Sequence, residues 1–188
     1  MQILETQRLI LREMTPDDLP ALCLMLEDPE VMYAYEGAFT REQSKDWLNR
    51  QIRRYQDDGI GLWAAVLKTD NRMIGQCGLT FQNWKNRKLP EVGYLFQKAF
   101  WHQGYAAEGA VACRDYAFSH LKVDAVYSII RDTNLPSRRV AERNGMTVVD
   151  QGIRHYRGLD MPHLLYEIKK ARVPFPVGVR TENSERNG

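Results

Sequence analysis

The spacing of apolar residues changes several times along the chain, and each change marks an element boundary. From Arg8 to Met14 the pattern is that of a strand. Thr15-Pro16-Asp17-Asp18 then opens a helix: Thr15 caps, Pro16 suits the first turn, and Asp18 stands where a capping-box acid belongs. Leu19, Leu22, Cys23 and Leu26 follow at helical spacing, which makes Cys23 a core residue, and Asp28-Pro29 ends the element. A second helix starts near Thr40, with Gln43 three residues on; Trp47, Leu48, Ile52 and Tyr55 form its apolar stripe, and Asp58-Gly59 stops it. Leu62 to Leu67 and Met73 to Phe81 read as two strands of a hairpin around the polar turn Thr69 to Arg72. Asn83 to Leu89 reads as a polar loop, and Glu91 to Phe96 as a strand.

A long helix begins at Gly104 and runs to about Leu121, with Ala106, Ala110, Cys113, Ala117 and Leu121 on one face. Small side chains there allow close packing on a sheet. Ala125 to Ile130 is a strand, and Pro136 to Asn144 a short helix closed by Gly145. Thr147 to Tyr156 and Leu164 to Lys169 are strands joined across Gly158 and Pro162. The order β-α-α-β-β-β-α-β-α-β-β implies a mixed α/β domain, a sheet covered by helices, with ligands bound where strands meet helix N-termini. The pattern is continuous over 1–171, which reads as a single domain, and 172–188 reads as a loosely ordered tail.

Composition narrows the functional classes. The net charge is only +2, with both signs interspersed, so no basic stripe argues for nucleic acid. No apolar run approaches a membrane span, and the N-terminal stretch lacks the layout of a signal peptide. Three scattered cysteines, Cys23, Cys77 and Cys113, argue against a disulfide framework, and no Cys/His spacing suggests a metal. The expectation is a cytoplasmic protein without metal, monomeric or homodimeric.

The most informative stretch is Glu91 to Gly109, where a strand ends and a helix opens at a glycine. The first N–H groups of a helix lack intrahelical partners and carry partial positive charge, so they bind phosphate or pyrophosphate. Gly104 permits close approach to the backbone, and Ala106 keeps the next turn bare. No Gly-Lys-Ser/Thr follows, which excludes a P-loop, and the three-glycine Rossmann fingerprint is incomplete. Alone, Gly104 would be no more than a helix start.

Here the chain resembles the GNAT superfamily of acetyl-CoA-dependent N-acetyltransferases. Its pyrophosphate motif, Q/R-x-x-G-x-G/A, is matched by Trp101-His102-Gln103-Gly104-Tyr105-Ala106, with Trp101 departing at the first position. The form GYAAEG is similar to that of the branch of ribosomal-protein N-terminal acetyltransferases. RLILREMTPDDLPAL, DPEVMYAY with FTREQSKDWL, NLPSRRVAERNGM and GLDMPHLLYEI resemble further segments of that branch in the same order. The resemblance spans roughly residues 3 to 170. It implies a three-layer fold whose central, mostly antiparallel twisted sheet splays between two strands to hold CoA, with helices on both faces.

It also implies attack of an amine on the thioester of acetyl-CoA, the co-substrate. Glu91 resembles the family's carboxylate base and shares a strand face with Gly93 and Leu95; the alternative is an exposed strand-end glutamate or an ion-pair partner. Backbone N–H groups near Leu95 and Phe96 would polarise the carbonyl. His102, Gln103, Gly104, Tyr105, Ala106 and Ala107 would line the pyrophosphate cradle, and Asn134 and Ser137 would contact the pantetheine arm. Many members use a tyrosine after the Asn134 position as general acid; none lies between Leu135 and Met146, so Ser137 is the candidate donor, against helix capping as its alternative. Arg138 and Arg139 either meet a CoA phosphate or are solvated. Glu108 supports the helix, Cys113 is inert core, and Asp160 and His163 lie near the acceptor entry. Tyr33, Tyr35 and Glu36 form an aromatic-acidic loop suited to a cationic amine, or simply a packed loop. The acceptor is a primary amine: a peptide or protein N-terminus, or alternatively a polyamine, amino acid or antibiotic. A non-catalytic acyl-CoA sensor is the rival from another class.

Overall fold

In the computed structural model, residues 1–35, 37–156 and 158–171 are described. The tail expected over 172–188 and the acid Glu36 lie outside them. Eight strands form one sheet: β1 (Gln2–Glu5), β2 (Leu9–Arg12), β3 (Leu62–Leu67), β4 (Met73–Trp84), β5 (Arg87–Phe96), β6 (Ala125–Arg131), β7 (Thr147–Tyr156) and β8 (Leu159–Lys169). Their order across the sheet is β1-β2-β3-β4-β5-β6-β8-β7, and every neighbouring pair is antiparallel except β5 and β6. Four α-helices connect them: α1 (Leu19–Leu26), α2 (Arg41–Asp57), α3 (Tyr105–Tyr116) and α4 (Leu135–Arg143).

Strand alternation divides the interior into two cores. Leu62, Ala64 and Val66 of β3 face α1 and α2, packing with Leu22, Met25, Leu26 and Leu48. Trp63, Ala65 and Leu67 face the opposite layer, with Ala110 and Cys113 of α3 and Ala141 of α4. The expected small face of α3 does bring helix and sheet close: a Cβ on Gly109 would stand 3.0 Å from Cys77 Sγ. Cys113 is buried there, 3.6 Å from Cys77 Sγ, and burial pushes its thiol pKa well up, as an inert core residue requires.

The helix starts follow their caps. Thr40 Oγ1 accepts from Gln43 N–H (3.2 Å) while Gln43 Oε1 accepts from Thr40 N–H (2.9 Å), a reciprocal capping box. Thr15 N–H donates to Asp18 (2.8 Å), but Pro16–Asp18 is a tighter 3₁₀ turn and α1 proper starts at Leu19. Asp18 has a second task, taking both terminal nitrogens of Arg12 at 2.7 Å.

Three expectations need correction. First, β1 precedes the expected first strand; its short QILE stretch carries too little pattern to show, and pairing with β2 makes it a strand. Second, Asn83 to Leu89 is no loop. Lys85 and Asn86 both hold positive φ (45° and 65°), the geometry of a two-residue hairpin turn, and β4 and β5 pair up to Trp84↔Arg87. Trp84 is buried and donates Nε1–H to Asp150 of β7 (2.8 Å), an interaction across 66 residues. Third, β8 begins at Leu159 and contains Pro162. The carbonyl of Pro162 accepts from Asp132 N–H (3.1 Å), just past the end of β6, so the missing N–H costs no ladder bond. The long helix reaches Leu121 as expected, but its last five residues, Ala117–Leu121, widen into a π turn.

Candidate active site

The helix start at Gly104 has the expected cradle geometry. Gly104 sits in the left-handed region (φ 84°), and no side chain caps α3. The N–H groups of Tyr105, Ala106 and Ala107 therefore have no acceptor within the helix. His102, with φ 61°, and Gln103 are exposed at the rim. Trp101, where the motif carries Gln or Arg, donates Nε1–H to the carbonyl of Phe96 (2.8 Å) and pins the connection from β5.

One cradle residue escapes sequence reasoning altogether. Arg8 stands beside Gly104, its guanidinium 3.4 Å from where a Cβ would be, and lies over the Tyr105 ring at 4.2 Å. Arg8 Nη1 donates to the carbonyl of Gln103 (2.9 Å), and its Nε and backbone N–H donate to Glu108 (2.7 and 2.8 Å). Thr6 Oγ1 adds a third bond to that carboxylate (2.6 Å). Burial alone would raise the Glu108 pKa, but the bonds from Thr6 and Arg8 and the Arg8 charge hold it below the ordinary value. Glu108 thus supports the helix by tying it to the first hairpin. No local pattern pairs two residues a hundred positions apart.

The sheet opens between β5 and β6. These strands share a single registered pair, Glu91↔Tyr127, reinforced by Ser128 Oγ donating to the carbonyl of Val92 (2.9 Å). Gln97 N–H donates to Ile74 of β4, so alternation turns the peptide groups of Val92, Tyr94 and Phe96 towards β6. Beyond Val92 no strand pairs with them. The N–H of Leu95 points the other way, to β4; this corrects the expectation that Leu95 offers its main chain to the opening, although its side chain lines the cavity there.

The opening is a passage through the sheet, part of a cavity of about 470 Å³. On the α4 side it is lined by Tyr94, Asn134 and Ser137, and on the α2 side by Glu91, Gln51 and Gln76. Asn134, not Ser137, caps α4: its Oδ1 accepts from Ser137 N–H (3.2 Å) and from the Tyr33 hydroxyl (2.8 Å). Ser137 lines the cavity, its Oγ makes no hydrogen bond among the described residues, and its carbonyl accepts from Tyr94 OH (2.8 Å). Burial pushes the Tyr94 pKa far up, so it stays protonated. Arg138 donates to Tyr166 OH and to the carbonyl of Asp132 (both 3.0 Å), bracing α4 on β8 and β6.

Glu91 is not a freely exposed strand-end acid. Its Oε1 accepts from Ile129 N–H (3.1 Å) and its Oε2 from Thr80 Oγ1 (3.3 Å), with Tyr35 and Arg154 on the same cavity wall. Burial raises its pKa above the ordinary carboxylate value, against the opposing pull of Arg154 and these hydrogen bonds. His163 shares the cavity, donating Nδ1–H to the carbonyl of Met161 (2.9 Å); burial lowers its pKa below the ordinary imidazole value. Asp160 instead pairs with His155 in the β7–β8 hairpin, outside the cavity lining.

Tyr35 lines the α2 end of the cavity. Its ring meets Trp47 of α2 edge-on (centroids 6.3 Å apart) and Tyr156 of β7 (6.4 Å), and burial pushes its pKa up to about 12. Gln51 and Gln76 are fully buried beneath it. Gln51 Oε1 accepts from Leu62 N–H (3.1 Å) and Gln76 Oε1 from Trp47 Nε1 (3.0 Å), but neither Nε2 has a partner. A buried amide left so costs about 1–3 kcal/mol, a cost that functional sites carry and structural cores avoid.

A family description, Acetyltransferase (GNAT) domain, matches residues 8–147. The chain belongs to the GNAT acetyltransferase family. It is an acetyl-CoA-dependent N-acetyltransferase. It is 38% identical over 144 residues to the uncharacterized protein YkkB of Bacillus subtilis, covering 76% of this chain and 84% of that one. To the uncharacterized N-acetyltransferase YnaD of the same organism it is 29% identical over 142 residues, 75% and 80% of the two chains. An acetyltransferase from Agrobacterium tumefaciens superposes with a TM-score of 0.77 at 28% identity over 90% of this GNAT chain and 95% of its own. RimL, a ribosomal L7/L12 N-acetyltransferase solved with coenzyme A, shares the fold (TM-score 0.74, 18% identity, 90% and 98% covered). Among the described residues of the present enzyme, no helix is long and apolar enough to cross a membrane.

Proposed function

We propose that the chain transfers acetyl from acetyl-CoA to a primary amine held at the α2 end of the passage, with Glu91 as base and Ser137 as proton donor. The observation that carries this reading is the passage itself: it joins a half-buried carboxylate with a raised pKa to a serine hydroxyl that makes no hydrogen bond among the described residues. The residues fit the co-substrate. The uncapped start of α3 and Arg8 suit its phosphates, and Asn134 Nδ2 and the unpaired edge of β5 suit its pantetheine arm. When bound, acetyl-CoA supplies the thioester carbonyl carbon on which the new C–N bond forms as the C–S bond breaks. Glu91 takes the ammonium proton, directly or through water, leaving a neutral nucleophile. The N–H groups of Tyr94 and Phe96 face the opening and would stabilise charge developing on the carbonyl oxygen. Ser137 Oγ is placed to hydrogen-bond the leaving sulfur and to relay to it the second proton that the nitrogen sheds as the amide forms, so that the thiol leaves neutral and the serine is unchanged, and Tyr94 holds Ser137 in place through its carbonyl.

The roof formed by Tyr35 and Tyr156 favours a small amine over a protein N-terminus, since a polypeptide needs an open groove past Glu91. The test is thiol release from acetyl-CoA against a panel of amines and short peptides, with the Glu91→Gln and Ser137→Ala variants alongside. Acceptor-dependent release that falls in both variants supports the reading. Firm CoA binding without release for any acceptor would favour a sensor.

A further inference from the structure

The acceptor end of the cavity is rich in hydrogen-bond donors and positive charge. Arg50 and Arg54 enter from α2 and Arg154 from β7, whereas Glu91 is the one carboxylate on the described lining. Arg54 and Arg154 are partly buried and Arg50 is exposed. Among the described residues, none of these three arginines has a carboxylate within ion-pair distance. They are held by neutral groups instead. Arg54 Nη1 donates to Gln51 Oε1 (3.3 Å), Arg154 Nη2 donates to the carbonyl of Asn83 (3.0 Å), and Arg50 lies over the Trp47 ring (5.4 Å). A guanidinium has five N–H donors in a fixed fork, so most of that capacity is unspent. The Nε2 groups of Gln51 and Gln76 add buried donors without acceptors on the same wall.

Among the described residues, this wall opposes a polyamine or any other multiply cationic acceptor, which would meet like charge and find only Glu91 as a counter-charge. The acid of the expected aromatic-acidic wall, Glu36, lies outside the described residues. A molecule that fits must place its amine at Glu91 and acceptor oxygens, preferably anionic, against the arginines. We infer that the acceptor is a primary amine that itself carries a carboxylate, as an α-amino acid does, bound with its carboxylate towards Arg54 and Arg154. The inference rests on the reading of the Glu91 end as the acceptor end. A carboxylate matches the planar fork of arginine in two parallel hydrogen bonds. A zwitterion also leaves the charge of the site unchanged on binding. Closure by Tyr35 and Tyr156 suits a molecule of that size.

The test uses the full chain with acetyl-CoA and matched acceptors: the common L-amino acids, their carboxamides, their decarboxylated amines, and short peptides with the same first residues. Thiol release gives turnover, and thermal stabilisation of the CoA-loaded protein gives binding without chemistry. At least one amino acid is expected to exceed its carboxamide and decarboxylated amine by about 10- to 100-fold in kcat/KM, the worth of a charge-assisted contact. Arg54→Gln and Arg154→Gln should raise KM for that amino acid while leaving KM for the carboxamide nearly unchanged; a purely structural role would move both. Peptides with acidic first residues outperforming free amino acids would keep the carboxylate and assign it to a side chain. Carboxamides or simple amines used equally well, or no carboxylate-bearing amine binding or reacting, would overturn the inference. If Glu91→Gln keeps full turnover across pH with the amino-acid preference intact, the base assignment fails and the acceptor class stands.

Discussion

At the scale of single residues, Glu91 unites the chemistry and the cost of the site. Its pKa is raised by burial, so in the ionised form needed to accept a proton it opposes folding. A group whose folded pKa exceeds its unfolded one stabilises below the unfolded value, and that contribution is lost as pH rises through the folded value. Glu91→Gln keeps an acceptor for Ile129 N–H and removes the charge. Its melting temperature should therefore exceed that of the wild type at pH 8, and the gain should vanish as pH falls through the carboxylate range. The same variant should lose about 10²- to 10⁴-fold in kcat, the usual worth of a general base, and the acid limb of the pH profile with it. Thermal melts and initial rates across pH check both halves. A milder loss is expected of Tyr94→Phe: Ser137 would keep its hydroxyl but lose the bond that seats its carbonyl, so kcat should fall several-fold without an equal rise in KM for acetyl-CoA.

At the scale of elements, two helix starts do different work. The start of α3 is uncapped and glycine-led, whereas α4 is capped by Asn134. A residue other than glycine at position 104 would have to hold φ 84°, at about 1 kcal/mol or more, with its Cβ in contact with Arg8 Nη2 at 3.4 Å. Gly104→Val should raise the KM for acetyl-CoA strongly and lower the melting temperature slightly, as rates and calorimetry would show. Asn134→Ala removes the acceptor for Ser137 N–H and for Tyr33 OH; about 0.5–2 kcal/mol of stability should go with the cap, readable by denaturant unfolding. The hairpin at Lys85-Asn86 teaches the converse lesson. Its residues are polar enough to read as a loop, yet Trp84 anchored on Asp150 makes them the tip of two long strands.

At the scale of the whole molecule, the site is assembled from both ends of the sequence. Arg8 of the first hairpin braces Glu108 of α3 and stands against the cradle; Arg154 of β7 and Arg54 of α2 flank one carboxylate of β5. Because Arg8 is partly exposed, its coupling to Glu108 should be near 1 kcal/mol in a double-mutant cycle, between the values for surface and buried pairs. Arg8→Ala should also weaken acetyl-CoA binding more than Glu108→Gln does, because only the arginine can reach a phosphate.

Much of this was legible in the sequence. Periodicity located all four helices and most strands, since amphipathic spacing and capping residues are local properties. The uncapped helix start at Gly104 was legible for the same reason: a strand, a glycine and a bare first helical turn are contiguous. Glu91 was legible by its place on the central strand, but whether it lies exposed or buried depends on α2, β6 and β7 closing around it. Three features were decided only by tertiary structure: the hydroxyl of Ser137 left idle because Asn134 caps, Arg8 delivered to the cradle, and arginines from two distant elements gathered on one wall. Each depends on contacts between residues far apart in the chain. Period and motif encode where the backbone turns, whereas the charge and hydrogen-bonding balance of a cavity is a sum over everything that the fold brings to it.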